Sequence, residues 1–114
     1  IKGNVKAAAV QNKSGQFLQP TVEAGAKALN GIELDQHLAG SNPNPEAAGA
    51  YPIATLTWVL AYAEGNGAKA EAVQNVFNYM LKDSTQEGAA ALGFVPLRGN
   101  ILEKSRSAVA GIQP

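Results

Sequence analysis

Two Asn-Pro pairs stand side by side at Asn42-Pro43 and Asn44-Pro45, inside the stretch Gly40–Gly49. Proline lacks an amide hydrogen and forces the residue before it into extended backbone, so neither a helix interior nor a central strand can run through this stretch. It is the clearest seam in the chain, and whatever folds before it must stop there. Directly after it comes the most apolar run, AYPIATLTWVLAY, Ala50 to Tyr62. Ile53, Thr55, Thr57, Trp58, Val59 and Tyr62 are β-branched or aromatic, and Pro52 lies near the beginning, where a missing amide costs least. The expectation is a strand from Tyr51 to Tyr62, covered on both faces as in the interior of a helix-flanked sheet. Trp58 is expected in the core.

The other elements follow from local signals. Lys6 to Gln11 reads as a short strand, Asn12 to Gly15 as a turn, and Phe17-Leu18 as the returning arm of a hairpin, because Asn, Ser and Gly favour tight turns. Thr21 is placed to cap a helix carrying Glu23 in its first turn, with Gly31 just past its end and Val22, Ala26 and Leu29 on one face. Gly25 in the middle costs about 1 kcal/mol relative to alanine, so this helix depends on packing. From Lys69 to Lys82, Val73, Val76, Phe77, Met80 and Leu81 recur at helical spacing and make one apolar stripe. Ser84 to Glu87 reads as a capping box that opens a second short helix closed by Gly93. Phe94 to Leu97 is an extended link. Asn100 to Glu103 repeats the capping pattern for a last helix, with Leu102, Ser105, Val109 and Ile112 on a shared face.

Nine basic side chains balance nine acidic ones among 114 residues, with no long run of either sign. That composition argues against a nucleic-acid surface or a polybasic membrane patch. Cysteine is absent, which removes disulfides and thiolate metal sites from consideration. The Ala50–Tyr62 run is too short for a bilayer span, which takes about 20 apolar residues. Ile1 stands where methionine would start a chain and no charged, then apolar, leader precedes it; the expectation is a processed chain or a fragment.

Candidate chemistry is sparse. His37 with Glu33 and Asp35 is too small a set to hold a metal without ligands from elsewhere, and a solvated histidine is the better reading. Ser84, Ser105 and Ser107 lack a nucleophile elbow or a histidine in register, so capping and surface roles account for them. Gly65-Asn66-Gly67 opens a helix but lacks the remaining features of a phosphate-cradling loop. Thr55 and Thr57 share a strand face that could line a cleft, although strand propensity explains them. Arg98, beside Gly99 and Asn100, could recruit an anion at a helix start. No catalytic, ligand-binding or metal set emerges, so the chain does not read as an enzyme and no cofactor is expected.

The order of these pieces resembles the C-terminal part of the phosphate-binding proteins that serve phosphate ABC transporters. The resemblance runs from Ala50 to Val109. It is carried by Tyr51-Pro52-Ile53, by Phe77 with Tyr79 where that family usually has tryptophan, and by Gly88-Ala89-Ala90-Ala91-Leu92-Gly93-Phe94-Val95-Pro96-Leu97. Upstream, VKAAAVQNKSGQFLQPTVE matches a family segment in which a strand leads through an Asn-x-x-Gly turn and Pro-Thr into a helix. It implies an α/β chain that is part of a two-lobed periplasmic-binding-protein fold of type II. Residues 1–49 would supply a hairpin and helix of the second lobe, and residues 50–114 a return strand and three helices completing the first. Ala50, Tyr51 and Pro52 would be the hinge.

The function implied is capture of inorganic phosphate in the periplasm or after secretion, and delivery to an ABC permease. The partners implied are phosphate, that permease and the remainder of the polypeptide, with no nucleic acid. The family is considerably longer and holds its anion mostly with earlier residues, so the ligand site would lie outside this chain. Left alone, the chain would expose apolar faces and unpaired strand edges. A binder of sulfate or molybdate on the same architecture, and a stand-alone interaction module, are the alternatives.

Overall fold

The structure, a computed structural model, describes residues 6–114; Val5, the first residue of the segment that carries the upstream resemblance, lies outside them. It is a small mixed chain of helices and one short sheet, compatible with an α/β class. Strands β1 (Val10–Gln11) and β2 (Phe17–Leu18) pair antiparallel, with Val10 opposite Leu18 and Gln11 opposite Phe17. The expected hairpin therefore forms, with a first arm shorter than Lys6–Gln11. Its turn closes through Asn12 N–H to the Gln16 carbonyl and Gly15 N–H to the Asn12 carbonyl.

Helix α1 (Val22–Leu29) starts where the sequence places it: Ala24 N–H donates to the Thr21 hydroxyl, 3.2 Å away, satisfying one of the amides a helix start leaves open. Helix α2 (Ala70–Met80) follows a short 3₁₀ turn at Gly67–Lys69, α3 spans Asp83–Ala89, and α4 spans Gly99–Ala110. Two capping expectations shift by a residue. Ser84 is the second residue of α3, whose start is closed instead by Thr85 and Gln86 N–H groups on the Lys82 carbonyl. Asn100 is the second residue of α4, preceded by Arg98 in extended backbone without a side-chain cap. Gly93 ends the 3₁₀ turn Ala90–Leu92 in the left-handed conformation, as expected.

The chain divides into two compact units. The first runs to Thr57 and takes in Ala89–Val95. Its buried apolar residues are Ala24, Ala28, Leu29, Ile32, Leu34 and Ala50. Gly25 is buried among them, and a Cβ at its position would stand 2.7 Å from a methyl of Val95. The helix accepts glycine's entropic cost because that approach leaves no room for alanine. The second unit comprises Trp58–Gly88 and Pro96–Pro114. There α2 packs on α4, and Ala70, Ile101, Leu102, Val109 and Ile112 form the buried set. Leu102 and Val109 are thus buried on the face the spacing predicted, with Ser105 half-buried beside them, while Ile112, also buried, lies just past the end of α4.

The apolar run departs from expectation. No strand forms between Tyr51 and Tyr62, and from Ala54 to Tyr62 the backbone belongs to no helix or strand. Trp58 is 45% exposed rather than core, and Leu60 is 95% exposed. β-propensity expresses how well a side chain fits a pleated surface between neighbours, and the described residues contain only the β1–β2 sheet. Without a partner strand the run has strand composition but no ladder.

Candidate functional site

The residues that sequence reading singled out for a mechanical role, Ala50, Tyr51 and Pro52, sit in the first unit in a dense set of backbone and side-chain hydrogen bonds. Gly49, with φ +77, donates its N–H to Gln16 Oε1 at 2.7 Å. Ala50 is fully buried, its N–H bonded to the Ala47 carbonyl and its carbonyl accepting from Asn12 Nδ2 at 3.2 Å. Tyr51 N–H donates to the Ala24 carbonyl of α1, 3.0 Å away. Asn44 N–H donates to the Pro52 carbonyl at 3.1 Å, so the second Asn-Pro pair folds back on the segment it precedes. Asn44 itself has φ +51, a conformation asparagine tolerates better than most residues.

Asn12 is the polar centre of this arrangement, only 5% exposed. Besides reaching Ala50, its Oδ1 accepts from Gln16 N–H and from the Ser14 hydroxyl at 2.9 and 2.8 Å. A buried amide left without partners would cost about 1–3 kcal/mol, so full pairing is what makes burial tolerable. At the rim, Lys13 pairs with Glu46, and both groups are more than half exposed. The hydrogen bond from Lys13, followed by its charge, holds the Glu46 carboxyl below its usual range. Glu23 is lowered as well, first by a backbone hydrogen bond at its own residue and second by the Thr21 side chain.

The remaining candidates fall to structural roles. Glu33, Asp35 and His37 are exposed, and Asp35 Oδ1 accepts from the N–H groups of His37 and Ala39 in a local turn. Among the described residues no three histidine, aspartate or glutamate side chains group into a metal-holding set. Ser105 donates back to the Ile101 carbonyl within α4, while Ser84 and Ser107 are exposed. Asn66, between the two glycines of the suspected loop, donates to the Tyr62 and Gln113 carbonyls, so that turn is a clasp for the C-terminal end of the second unit. Thr55 donates to the neighbouring Leu56 carbonyl. Arg98 is exposed at the start of α4.

Asn12, Gln16 and Arg106 were missed as anchors. Arg106 donates through Nε and Nη2 to the Leu81 carbonyl just past α2, and pairs with Asp83 and Glu103. The signal for it was indirect: α2 has no basic residue in its last turn to meet its open carbonyls. For Asn12 only turn propensity was legible, and Gln16 carried no signal, since their partners lie 38 and 33 residues away.

No protein-family profile matches the chain. It is 27% identical to the phosphate-binding protein PstS of Methanocaldococcus jannaschii over 128 aligned positions, which take in 96% of this chain and 31% of that protein. The chain thus spans about a third of the length of the curated relative it matches. Among the described residues no helix is long and apolar enough to cross a membrane. The similarity joins nearly the whole chain, hairpin and helices alike, to a protein that binds phosphate.

Proposed function

We propose that this chain is the C-terminal portion of a phosphate-binding protein, one that captures inorganic phosphate in the periplasm or outside the cell and hands it to an ABC permease. The observation that carries the reading is the similarity to PstS along 96% of the chain. In this reading residues 1–49 belong to the second of two α/β lobes and residues 50–114 complete the first. Ala50, Tyr51 and Pro52 form the root of the return crossing, and the anion is held by the remainder of the polypeptide. Closure about a hinge would trap the dianion, and the closed form would be the one the permease recognises. The protein acts by binding rather than by catalysis.

The exposure of Ile53, Val59, Leu60 and Tyr62 supports a chain that needs further polypeptide to cover it. The test is calorimetric titration of the complete encoded polypeptide with phosphate, sulfate and molybdate in turn. Saturable binding of phosphate at one site, with sulfate and molybdate at least about a hundredfold weaker, is expected; that margin is a few kcal/mol of discrimination. Preference for sulfate or molybdate would keep the architecture and change the ligand. No binding of any of the three would leave an interaction module and end the transport reading.

A further inference from the structure

We infer that Asn12 and Gln16 are positioning residues that lock the root of the crossing, confining its bending to the backbone beyond Pro52. The inference rests on the reading of Ala50–Pro52 as a return crossing, and it names side chains to which that reading assigns no role.

Both amides project from one hairpin turn and grip consecutive residues far along the chain. Gln16 Oε1 takes the Gly49 N–H, and Asn12 Nδ2 takes the Ala50 carbonyl. Ser14 cross-links the two grips, its hydroxyl lying 2.8 Å from Asn12 Oδ1 and 3.2 Å from Gln16 Oε1. The helix side closes the lock, because Tyr51 N–H is bonded to Ala24 of α1. From Gly49 to Tyr51 every backbone N–H has a partner. Immediately afterwards the character changes: Ile53 is 71% exposed and no regular element holds Ala54 to Tyr62. A backbone whose N–H groups are committed around a buried residue resists torsion, whereas an exposed one outside regular structure opens at little cost. Bending is therefore confined to the backbone beyond Pro52, and the amides of Asn12 and Gln16 set that limit.

The test uses the complete encoded polypeptide, its Asn12→Ala variant, and Gln16→Ala, which alters an exposed side chain and keeps the test open should the buried replacement fail to fold. Amide hydrogen exchange is read at Gly49–Tyr51 and, as an internal reference, in α4. Stopped-flow mixing with inorganic phosphate gives association and dissociation rates. Loss of one hydrogen bond predicts exchange at Gly49–Tyr51 faster by about fivefold to tenfold, with α4 unchanged. The phosphate rates should change by a comparable factor. Unchanged exchange at Gly49–Tyr51 in the folded variants overturns the lock. Faster exchange with unaltered phosphate rates overturns the positioning role and leaves a purely structural one. Absence of phosphate binding in the unsubstituted protein overturns the proposed function and with it the positioning role, while exchange still decides whether the lock exists.

Discussion

The two units solve the same shortage differently. Aromatic residues make up only 6% of the chain, so neither unit can rely on large side chains to fill its interior. The first unit uses small residues around an eight-residue helix and fastens irregular backbone with a buried amide, Asn12. The second stacks α2 on α4 and spends its long polar side chains on helix ends. There Gln74 reaches the Val109 and Ile112 carbonyls, Gln86 bridges the Met80 carbonyl and the Leu97 N–H, and Arg106 covers Leu81. In both, side-chain hydrogen bonds to backbone stand in for bulk. The lesson is that the first unit should be sensitive to close approaches and buried polarity, and the second to loss of aliphatic volume.

The largest effect that would sharpen this contrast belongs to the second unit. Leu102 is 6% exposed in α4, and Leu102→Ala should cost about 2–4 kcal/mol through lost burial and the cavity left behind. Urea unfolding of the complete polypeptide measures it, and a loss under about 1 kcal/mol would mean the α2–α4 interface is not the core of the second unit. In the first unit, Gly25→Ala adds a methyl that helix propensity favours and Val95 opposes. Valine's stiff χ1 prevents an easy retreat, so a destabilisation of about 1–3 kcal/mol is expected. A more stable variant would break the comparison, showing that the unit is loosely packed.

Arg106→Ala comes next, at about 1 kcal/mol, because it strips the Leu81 carbonyl of its donors in a half-exposed setting. Arg106→Lys should recover only part of this, since a single ammonium cannot reproduce the fork of the guanidinium. The smallest effect is electrostatic and belongs to the first unit. The folded-state pKa of Glu46 is depressed, so its contribution is present above the ordinary carboxylate range and is lost as pH falls through the depressed value. Exposure and salt keep it minor. Thermal unfolding followed from pH 6 down to pH 3 should show a slightly shallower decline in Glu46→Gln than in the parent; identical profiles would remove the Lys13 pair from the account.

Much of this arrangement was legible in residues a few positions apart. The turn between β1 and β2 is closed by Asn12 and Gly15 within its own loop, and Thr21 caps α1 three residues on. The buried face of α4 follows from the spacing of Leu102 and Val109. The break ahead of Ala50 was legible as well, because two Asn-Pro pairs exclude both helix interior and central strand from Gly40–Gly49. The exact starts of α3 and α4 were not, since Ser84 and Asn100 match the capping pattern but the chain enters each helix one residue sooner.

The sequence by itself determined the hairpin turn, the cap of α1, the apolar spacing of α4, and the break at Gly40–Gly49, because each depends on atoms that stay close along the chain whatever the rest does. Only the tertiary structure decided that Tyr51–Tyr62 would not become a strand, since a ladder requires a neighbour and the described sheet ends at β1 and β2. It also decided that Asn12 would be buried rather than solvated. Its partner Ala50 is 38 residues away, and no local pattern can encode a hydrogen bond that exists only once the chain has folded back on itself.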